Sequence, residues 1–283
     1  MPRECERLSA KEAERSSLYL NEKDREILLA LLDTRFMDTR QVMTLLGMTR
    51  QGAQQRLYRL YRHRYLARQS WDLRHIYGLD RLGIEYLAEI TGIPPAELHS
   101  YRSRNVSRFF LDHALAVSDV YVALKSAARK NNLTLSWRNE IGAADRYTLQ
   151  SGREQKLEPD AVFALSGDNL SLLAFLEVDR ATESWQKWMG KVQDYNAYFL
   201  SDRFSERWPP AERVLVLITV PNSQRVDALR EFLAEQWRAY RQQQRVPVGI
   251  AVQEAVQAEQ ILTMPWTGPD GMFRLVEEVR GAP

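Results

Sequence analysis

The sequence predicts an α+β or α/β protein in which a helical N-terminal part with one β-hairpin precedes a mixed sheet flanked by helices. Two observations predict this class. Apolar residues recur at helical spacing through much of the first third of the chain. After residue 105, a helix, three strands, a helix, a strand, a second helix and a last strand follow one another, an order that indicates a mixed sheet with helices on its faces.

The composition is that of an ordinary globular protein. Of the 283 residues, 45% are hydrophobic and 27% are charged, which excludes a disordered or fibrous chain. The longest apolar runs have the length of strands, and the N-terminus lacks the apolar segment of a secretory signal. The single cysteine, Cys5, excludes an internal disulfide framework and a cysteine-rich zinc site. We therefore expect a soluble, cytoplasmic protein without membrane contact.

The N-terminal part has the pattern of a winged helix-turn-helix. Asn21, Thr39 and Thr49 are residues that favour the start of a helix, and each precedes apolar residues at helical spacing. Gly47 ends the second helix, so that a tight glycine turn leads into the third. Two short strands between residues 65 and 79 then form the hairpin, or wing.

Arginine is concentrated in the same part of the chain. Residues 35–74 contain nine arginines and two acidic residues, which leaves an excess of seven positive charges. Because the planar guanidinium group suits phosphates and guanine edges, this concentration indicates nucleic-acid binding. The residues expected to contact double-stranded DNA are Arg50, Gln51, Gln54, Gln55, Arg59, Arg62 and Arg74. We expect the glutamines to read base edges and the arginines to hold phosphates. The alternative is a winged helix that makes only protein contacts.

A polar segment with two prolines marks the connection between the two parts. Pro94 and Pro95 open it, and it continues to Arg104. The predicted organisation is a winged helix at 18–92, a linker at 93–104 and an α/β domain at 105–283.

Three carboxylates lie on two neighbouring strands of the predicted sheet, at 157–165 and 170–178, or directly after them. Counted from the hairpin turn at 167–169, Asp160 lies about eight residues before its centre and Glu177 about nine after it, which predicts that the two are opposite each other. Glu177 and Asp179 are two apart and should share a face. Such carboxylates repel one another unless a cation joins them, so we expect Asp160, Glu177 and Asp179 to bind Mg²⁺ or Mn²⁺. The alternative is that these acids cap helices or pair with bases such as Arg180.

A metal ion at this position would suit phosphodiester hydrolysis, because it polarises a phosphoryl oxygen and activates water. A neighbouring lysine would orient that water. Lys187 and Lys191 are one helical turn apart on the next predicted helix, where Tyr195 extends the same face. The predicted catalytic residues are Asp160, Glu177, Asp179, Lys187 and Lys191.

Several segments together resemble the bacterial replication-relaxation family, over about residues 20–252. They are YGLDRLGIEYL, HALAVSDVYVAL, EPDAVF, FLEVDRATES and KWMGKVQDY, in this order. The resemblance implies a role in the replication of plasmids and mobile elements and in plasmid DNA relaxation. It also implies a second domain similar to PD-(D/E)xK nucleases, with the acids and lysines named above as its site and Glu140 as an additional acid. Asp179 stands where the nuclease motif has its lysine.

Two hypotheses follow for the function. In the first, a winged helix brings the protein to DNA and a PD-(D/E)xK nuclease-like domain of mixed-sheet fold nicks it with Mg²⁺ or Mn²⁺. In the second, the protein is a non-catalytic transcription or replication factor, and its nuclease-like domain serves dimerisation or partner binding. The expected partners are double-stranded DNA, a second copy of the chain, and replication or mobilisation proteins. The chain lacks a P-loop and a glycine-rich dinucleotide motif, which argues against ATP-driven or redox functions.

Overall fold

The structure is a computed structural model that describes residues 18–71, 74–103, 106–149, 151–168, 170–239, 247–257 and 260–276. Contacts divide the chain into two compact units, the first ending at Val122 and the second beginning at Ala123. Each unit combines helices and strands, which confirms the predicted α+β class. Among the described residues, no helix has both the length and the hydropathy of a membrane span.

The first unit consists of four helices of two turns or more, a three-stranded sheet and the first part of a long helix. Its elements are α1 (Glu22–Thr34), β1 (Met37–Asp38), α2 (Thr39–Leu46), α3 (Arg50–Arg62), β2 (Leu66–Trp71), β3 (Arg74–Leu79), α4 (Arg81–Thr91), α5 (Pro95–Leu98), a 3-10 turn (His99–Tyr101) and α6 (Arg108–Lys130). The sheet has the order β1-β3-β2 with antiparallel pairs. Strands β2 and β3 are the predicted hairpin.

Local sequence explains where the first helices begin and end. The side chains of Asn21 and Asp38 accept hydrogen bonds from backbone N–H groups in the first turns of α1 and α2, and Thr49 does the same for α3. Asp38 therefore caps α2, one residue before the predicted cap Thr39. Gly47 has a left-handed conformation (φ 57°) that ends α2, so three residues join α2 to α3.

The segment predicted as a linker is folded onto the first unit. It contains α5, the 3-10 turn and Arg102, whose Nε and Nη2 atoms donate hydrogen bonds to the buried carboxylate of Asp80 at 3.2 and 3.0 Å. The first part of α6 also belongs here, since Leu111 and Leu115 pack with Phe36. The boundary between the two units, after Val122, therefore differs from the domain boundaries predicted at residues 92 and 105. Those domain boundaries stay a prediction.

The second unit is built on a seven-stranded mixed sheet. Its elements after α6 are β4 (Thr134–Asn139), α7 (Glu140–Ala143), β5 (Asp145–Thr148), β6 (Glu154–Leu157), β7 (Ala161–Gly167), β8 (Leu170–Val178), α8 (Trp185–Phe199), α9 (Asp202–Arg207), β9 (Arg213–Val220), α10 (Ser223–Ala239), β10 (Val248–Val252), a 3-10 turn (Gln253–Ala255), β11 (Trp266–Gly268) and β12 (Gly271–Phe273). The sheet order is β12-β11-β10-β9-β8-β7-β4, and β5 and β6 form a separate pair.

Strand direction changes across this sheet. Strands β4, β7 and β8 are antiparallel, whereas β8, β9 and β10 are parallel and are joined by α8–α9 and by α10. The predicted strand at 157–165 is wrong in one respect, because β6 ends at Leu157 and β7 begins at Ala161. Between them lies Pro159, which has no N–H group for a sheet ladder. This break places Asp160 at the entry to β7, beside the end of β8.

Candidate nucleic-acid interface and carboxylate site

Helix α3 buries one face and exposes the other. Ala53, Leu57, Leu60 and Tyr61 form the buried face. The exposed side chains include the predicted Arg50, Gln51, Gln54 and Gln55, and also Tyr58, which is 52% exposed. Tyr58 was not among the predicted contacts, although its spacing of four residues from Gln54 places it on the same face.

A depression of about 320 Å³ lies between α2, α3 and β3. The side chains of Arg40, Arg50, Gln54, Arg74 and His75 line it, together with Asp38, Thr39 and Met43. The structure thus brings three predicted contacts, Arg50, Gln54 and Arg74, to one place. Three guanidinium groups face one carboxylate there, so the depression carries an excess of positive charge.

Arg40 was not predicted as a contact, and its Nη2 atom donates a hydrogen bond to Asp119 Oδ1 on α6 at 2.6 Å. The Arg40 side chain nevertheless remains 64% exposed. The arginine concentration at 35–74 included Arg40, but its position on α2 could not be related to α3 and β3 without the fold.

Arg59 lies elsewhere, in a buried ion pair. Its Nη2 atom donates to Asp24 Oδ2 at 2.6 Å, and Arg56 Nη1 donates to Asp24 Oδ1 at the same distance. The Asp24 side chain is fully buried and belongs to the cap of α1. Because a buried carboxylate requires a cationic partner, Arg59 is held to α1, and it does not line the depression. The half-buried Arg62 does not line it either.

Asp160 and Glu177 are neighbours on adjoining strands, as the count from the hairpin predicted. Ala161 pairs with Leu176 in the antiparallel ladder of β7 and β8. The Asp160 N–H donates to the Leu176 carbonyl at 3.0 Å, and the Val178 N–H donates to Asp160 Oδ2 at 2.7 Å. The Asp160 carboxylate therefore accepts a backbone hydrogen bond at the end of β8.

The carboxyl group of Glu177 is buried and contacts two side chains of α8. Its Oε1 atom accepts a hydrogen bond from the Tyr195 hydroxyl at 2.6 Å, and its Oε2 atom accepts one from Lys191 Nζ at 2.7 Å. Burial raises the pKa of Glu177 to about 7; Lys191 opposes this rise, and Asp160 adds to it. Burial and the Glu177 carboxylate likewise raise the pKa of Tyr195, so Tyr195 is a donor at neutral pH.

Of the two predicted lysines, only Lys191 reaches Glu177. Its Nζ atom also lies 3.0 Å from Glu183 Oε2, whereas the Lys187 ammonium pairs with the other oxygen of Glu183. Burial by itself would lower the pKa of Lys191, but the carboxylates of Glu177 and Glu183 raise it above its ordinary value. Glu183 was not among the predicted site residues. It lies four residues before Lys187, just ahead of the N-cap of α8, a spacing that allows an ion pair with that lysine.

Asp179 does not join the other two predicted metal ligands, which corrects the expectation that it shares their site. Its Oδ2 atom accepts a hydrogen bond from Arg225 Nε at 2.7 Å, and its Oδ1 atom accepts one from the Ala181 N–H at 2.7 Å. The reason is that β8 ends at Val178, so strand alternation no longer directs the Asp179 side chain. Asp179 instead stabilises the left-handed conformation of Ala181 (φ 59°) in the following turn.

The acidic residues do not fit a divalent cation held by three carboxylates. Among the residues that the structure describes, no three acidic, histidine or cysteine side chains form a group that could hold a metal ion. Both oxygens of Glu177 accept hydrogen bonds from protein side chains, and Asp179 is turned towards Arg225. Glu140 begins α7 next to the β4 residue that pairs with Ala161, but it completes no such group.

The fold and these two sites define a class: an α+β protein of two units, with an arginine-lined depression in one and a buried carboxylate–lysine cluster in the other. The family model described as replication-relaxation matches residues 28–208, and the chain belongs to this family. The resemblance found in the sequence is thereby confirmed. Membership suggests a role in the replication or relaxation of plasmids or mobile elements. No curated protein and no solved structure matches the chain.

Proposed function

We propose that this protein is a DNA-binding factor of plasmid or mobile-element replication, and that its second unit is a nuclease-like module that does not cut DNA. The observation that carries the proposal is the depression between α2, α3 and β3, lined by Arg40, Arg50 and Arg74. Because duplex DNA presents two rows of phosphates, a cationic depression beside an exposed helix is a suitable contact surface.

The order of elements supports a winged helix in the first unit. Helices α2 and α3 are joined by three residues that include the left-handed Gly47, and a two-stranded hairpin follows α3. In helix-turn-helix proteins the second of the two helices lies in the major groove. Helix α3 has this position in the chain, and its exposed face carries three glutamines and Arg50.

The side chains divide into two kinds of contact. Arg50 on α3 and Arg74 on β3 are cations that line the depression, so we assign them to phosphates. Gln54 lines the same depression and has an amide that can bind the N6 and N7 edge of adenine with two hydrogen bonds. Arg50 and Arg74 therefore supply affinity, and Gln54 supplies discrimination between sequences.

Internal pairing of the acids supports a non-catalytic second unit. With α7, β5, β6 and α9 left out, the succession α6, β4, β7, β8, α8 and β9 agrees with the core order of PD-(D/E)xK nucleases, which supports a nuclease-like module. In this chain, however, Glu177 is paired with Lys191, and Asp179 is paired with Arg225. The chain thus supplies its own cationic partner for each of these carboxylates. This pairing is expected of a nuclease-like module that does not cleave phosphodiester bonds.

DNA binding is tested by the salt dependence of affinity for short duplexes. Arg50→Ala and Arg74→Ala should each weaken binding to all duplexes and reduce the slope of log K against log[salt] by about one. Gln54→Ala should instead reduce the preference for the favoured sequence. The matched control is Arg25→Ala, an exposed arginine on α1 that does not line the depression. Normal affinity and slope in folded Arg50→Ala and Arg74→Ala proteins would refute the proposed surface.

Metal-dependent nicking stays a prediction from the sequence and is tested separately. Supercoiled plasmid incubated with the protein and Mg²⁺ or Mn²⁺ should remain intact if the second unit does not cut. Nicking that requires the metal and disappears in Asp160→Asn and Glu177→Gln would establish the nuclease hypothesis in place of the non-catalytic one.

A further inference from the structure

Lys191 lies beside Asp160 and Glu177, two of the acids that the sequence predicts as metal ligands. We infer that its ammonium group is an internal cation that takes the place of a divalent metal beside Asp160 and Glu177. The second unit would then neither require nor take up Mg²⁺ or Mn²⁺. This inference deepens the proposal of a non-catalytic second unit, and it is independent of DNA binding by the first.

The ammonium group of Lys191 has three partners. It lies 2.7 Å from Glu177 Oε2, 3.0 Å from Glu183 Oε2 and 5.0 Å from the centre of the Trp188 ring. Only 22% of the side chain is exposed. Two carboxylates and an aromatic face thus hold one cation in a largely buried position, which is a strong arrangement for an ammonium group.

The charges are close to balanced without a metal. Asp160, Glu177 and Glu183 contribute three negative charges when ionised, and Lys187 and Lys191 contribute two positive ones. Backbone and hydroxyl donors stabilise the remaining charge, since the Val178 N–H donates to Asp160 and the Tyr195 hydroxyl donates to Glu177. A divalent ion would have to displace Lys191 from Glu177 and leave its ammonium group without that partner, at a large cost in desolvation.

Asp179 and Arg225 act as positioning residues for this arrangement. Arg225 donates from Nε to Asp179 and from Nη2 to the Glu183 carbonyl at 3.2 Å. Asp179 also accepts the hydrogen bond from Ala181 that shapes the turn between β8 and α8. The pair therefore fixes the turn from which Glu183 reaches Lys191. Asp179, which stands where the nuclease motif has a lysine, thus helps to position Lys191 on α8.

Calorimetric titration of the full chain with MnCl₂ tests the inference without DNA. The wild type should take up no Mn²⁺ at the cluster. Lys191→Met, whose side chain is unbranched, one atom shorter and uncharged, should bind Mn²⁺ at least about tenfold more tightly than the weakest binding that the titration detects, a difference of about 1.4 kcal/mol. Adding Glu177→Gln should abolish this gain. The matched control is Lys187→Met, because Lys187 is exposed and pairs with Glu183 rather than with Glu177. This variant should behave like the wild type.

Two results would overturn the inference. The first is uptake of Mn²⁺ by the wild type that is lost in Glu177→Gln, because the lysine would then not exclude the metal. The second is a folded Lys191→Met protein that binds Mn²⁺ no better than the wild type. If Lys191→Met fails to fold, the test uses the unfolding midpoint of the wild type, which Mn²⁺ and EDTA should leave unchanged. A rise of this midpoint with Mn²⁺ that is absent from Glu177→Gln would contradict the inference. Because no DNA is present, these outcomes are separate from those of the duplex-binding experiment.

Discussion

The ion pairs of Asp24 predict that two arginines of α3 contribute to stability rather than to DNA affinity. The Asp24 side chain is fully buried, while the side chains of Arg56 and Arg59 are 19% and 41% exposed. A hydrogen bond to a charged group contributes about 1.5–3 kcal/mol, and exposure to solvent reduces this. We therefore expect a loss of about 2 kcal/mol in Arg56→Ala and about 1 kcal/mol in Arg59→Ala. The double variant leaves a buried charge without a cation and should lose about 3–5 kcal/mol.

Hydrogen exchange of the α1 amides measures this loss where it occurs. Ile27 and Leu28 are fully buried on α1. The protection of their amides should fall least in Arg59→Ala, more in Arg56→Ala and most in the double variant. Arg50→Ala is the control on the same helix; as an exposed residue it should change stability by less than about 0.5 kcal/mol. The reasoning would be refuted if Arg59→Ala left α1 protection intact and instead reduced the salt dependence of DNA binding, as the sequence analysis had expected.

Two further predictions concern a glycine and a titrating group. Gly83→Ala should destabilise the first unit by about 1–3 kcal/mol in urea unfolding, because the added Cβ would lie 2.3 Å from the Tyr65 carbonyl oxygen. The control is Gly190→Ala in α8, which should not have this effect because the added Cβ meets nothing within 4 Å. Glu177 has a pKa that burial raises in the folded state from 4.5 to about 7, so its contribution to stability is present below about pH 4.5 and is lost as the pH rises through about 7. Urea unfolding should therefore show the wild type losing stability relative to Glu177→Gln between pH 5 and 7.5, and parallel pH profiles would contradict this.

The sequence predicts best what depends on neighbours along the chain. The apolar run of β9 forms a strand, as the predicted order of elements requires, and the neighbours Asp160 and Glu177 follow from counting residues on either side of one hairpin turn. Both rest on local rules, since an apolar run bounded by polar residues marks a strand and a hairpin fixes its own register.

It predicts least well what depends on partners far away in the chain. Arg59 pairs with a carboxylate 35 residues before it, and Asp179 pairs with a guanidinium 46 residues after it. Helical and strand periodicity give the face of a side chain but not the element that covers that face. The short strands β11 and β12 have three residues each, too few for alternation to identify them.

The long helix α6 has a practical consequence for anyone who expresses the first unit alone. A gene fragment ending at residue 92 or 104 would encode a polypeptide without Ser118, whose hydroxyl donates to the Phe36 carbonyl, and without the Leu115 carbonyl that accepts from Gln41. It would also uncover Phe36 and Ile76. Such a truncated protein is expected to aggregate or to unfold readily. Stop codons placed after Lys130, where α6 ends, would keep these contacts.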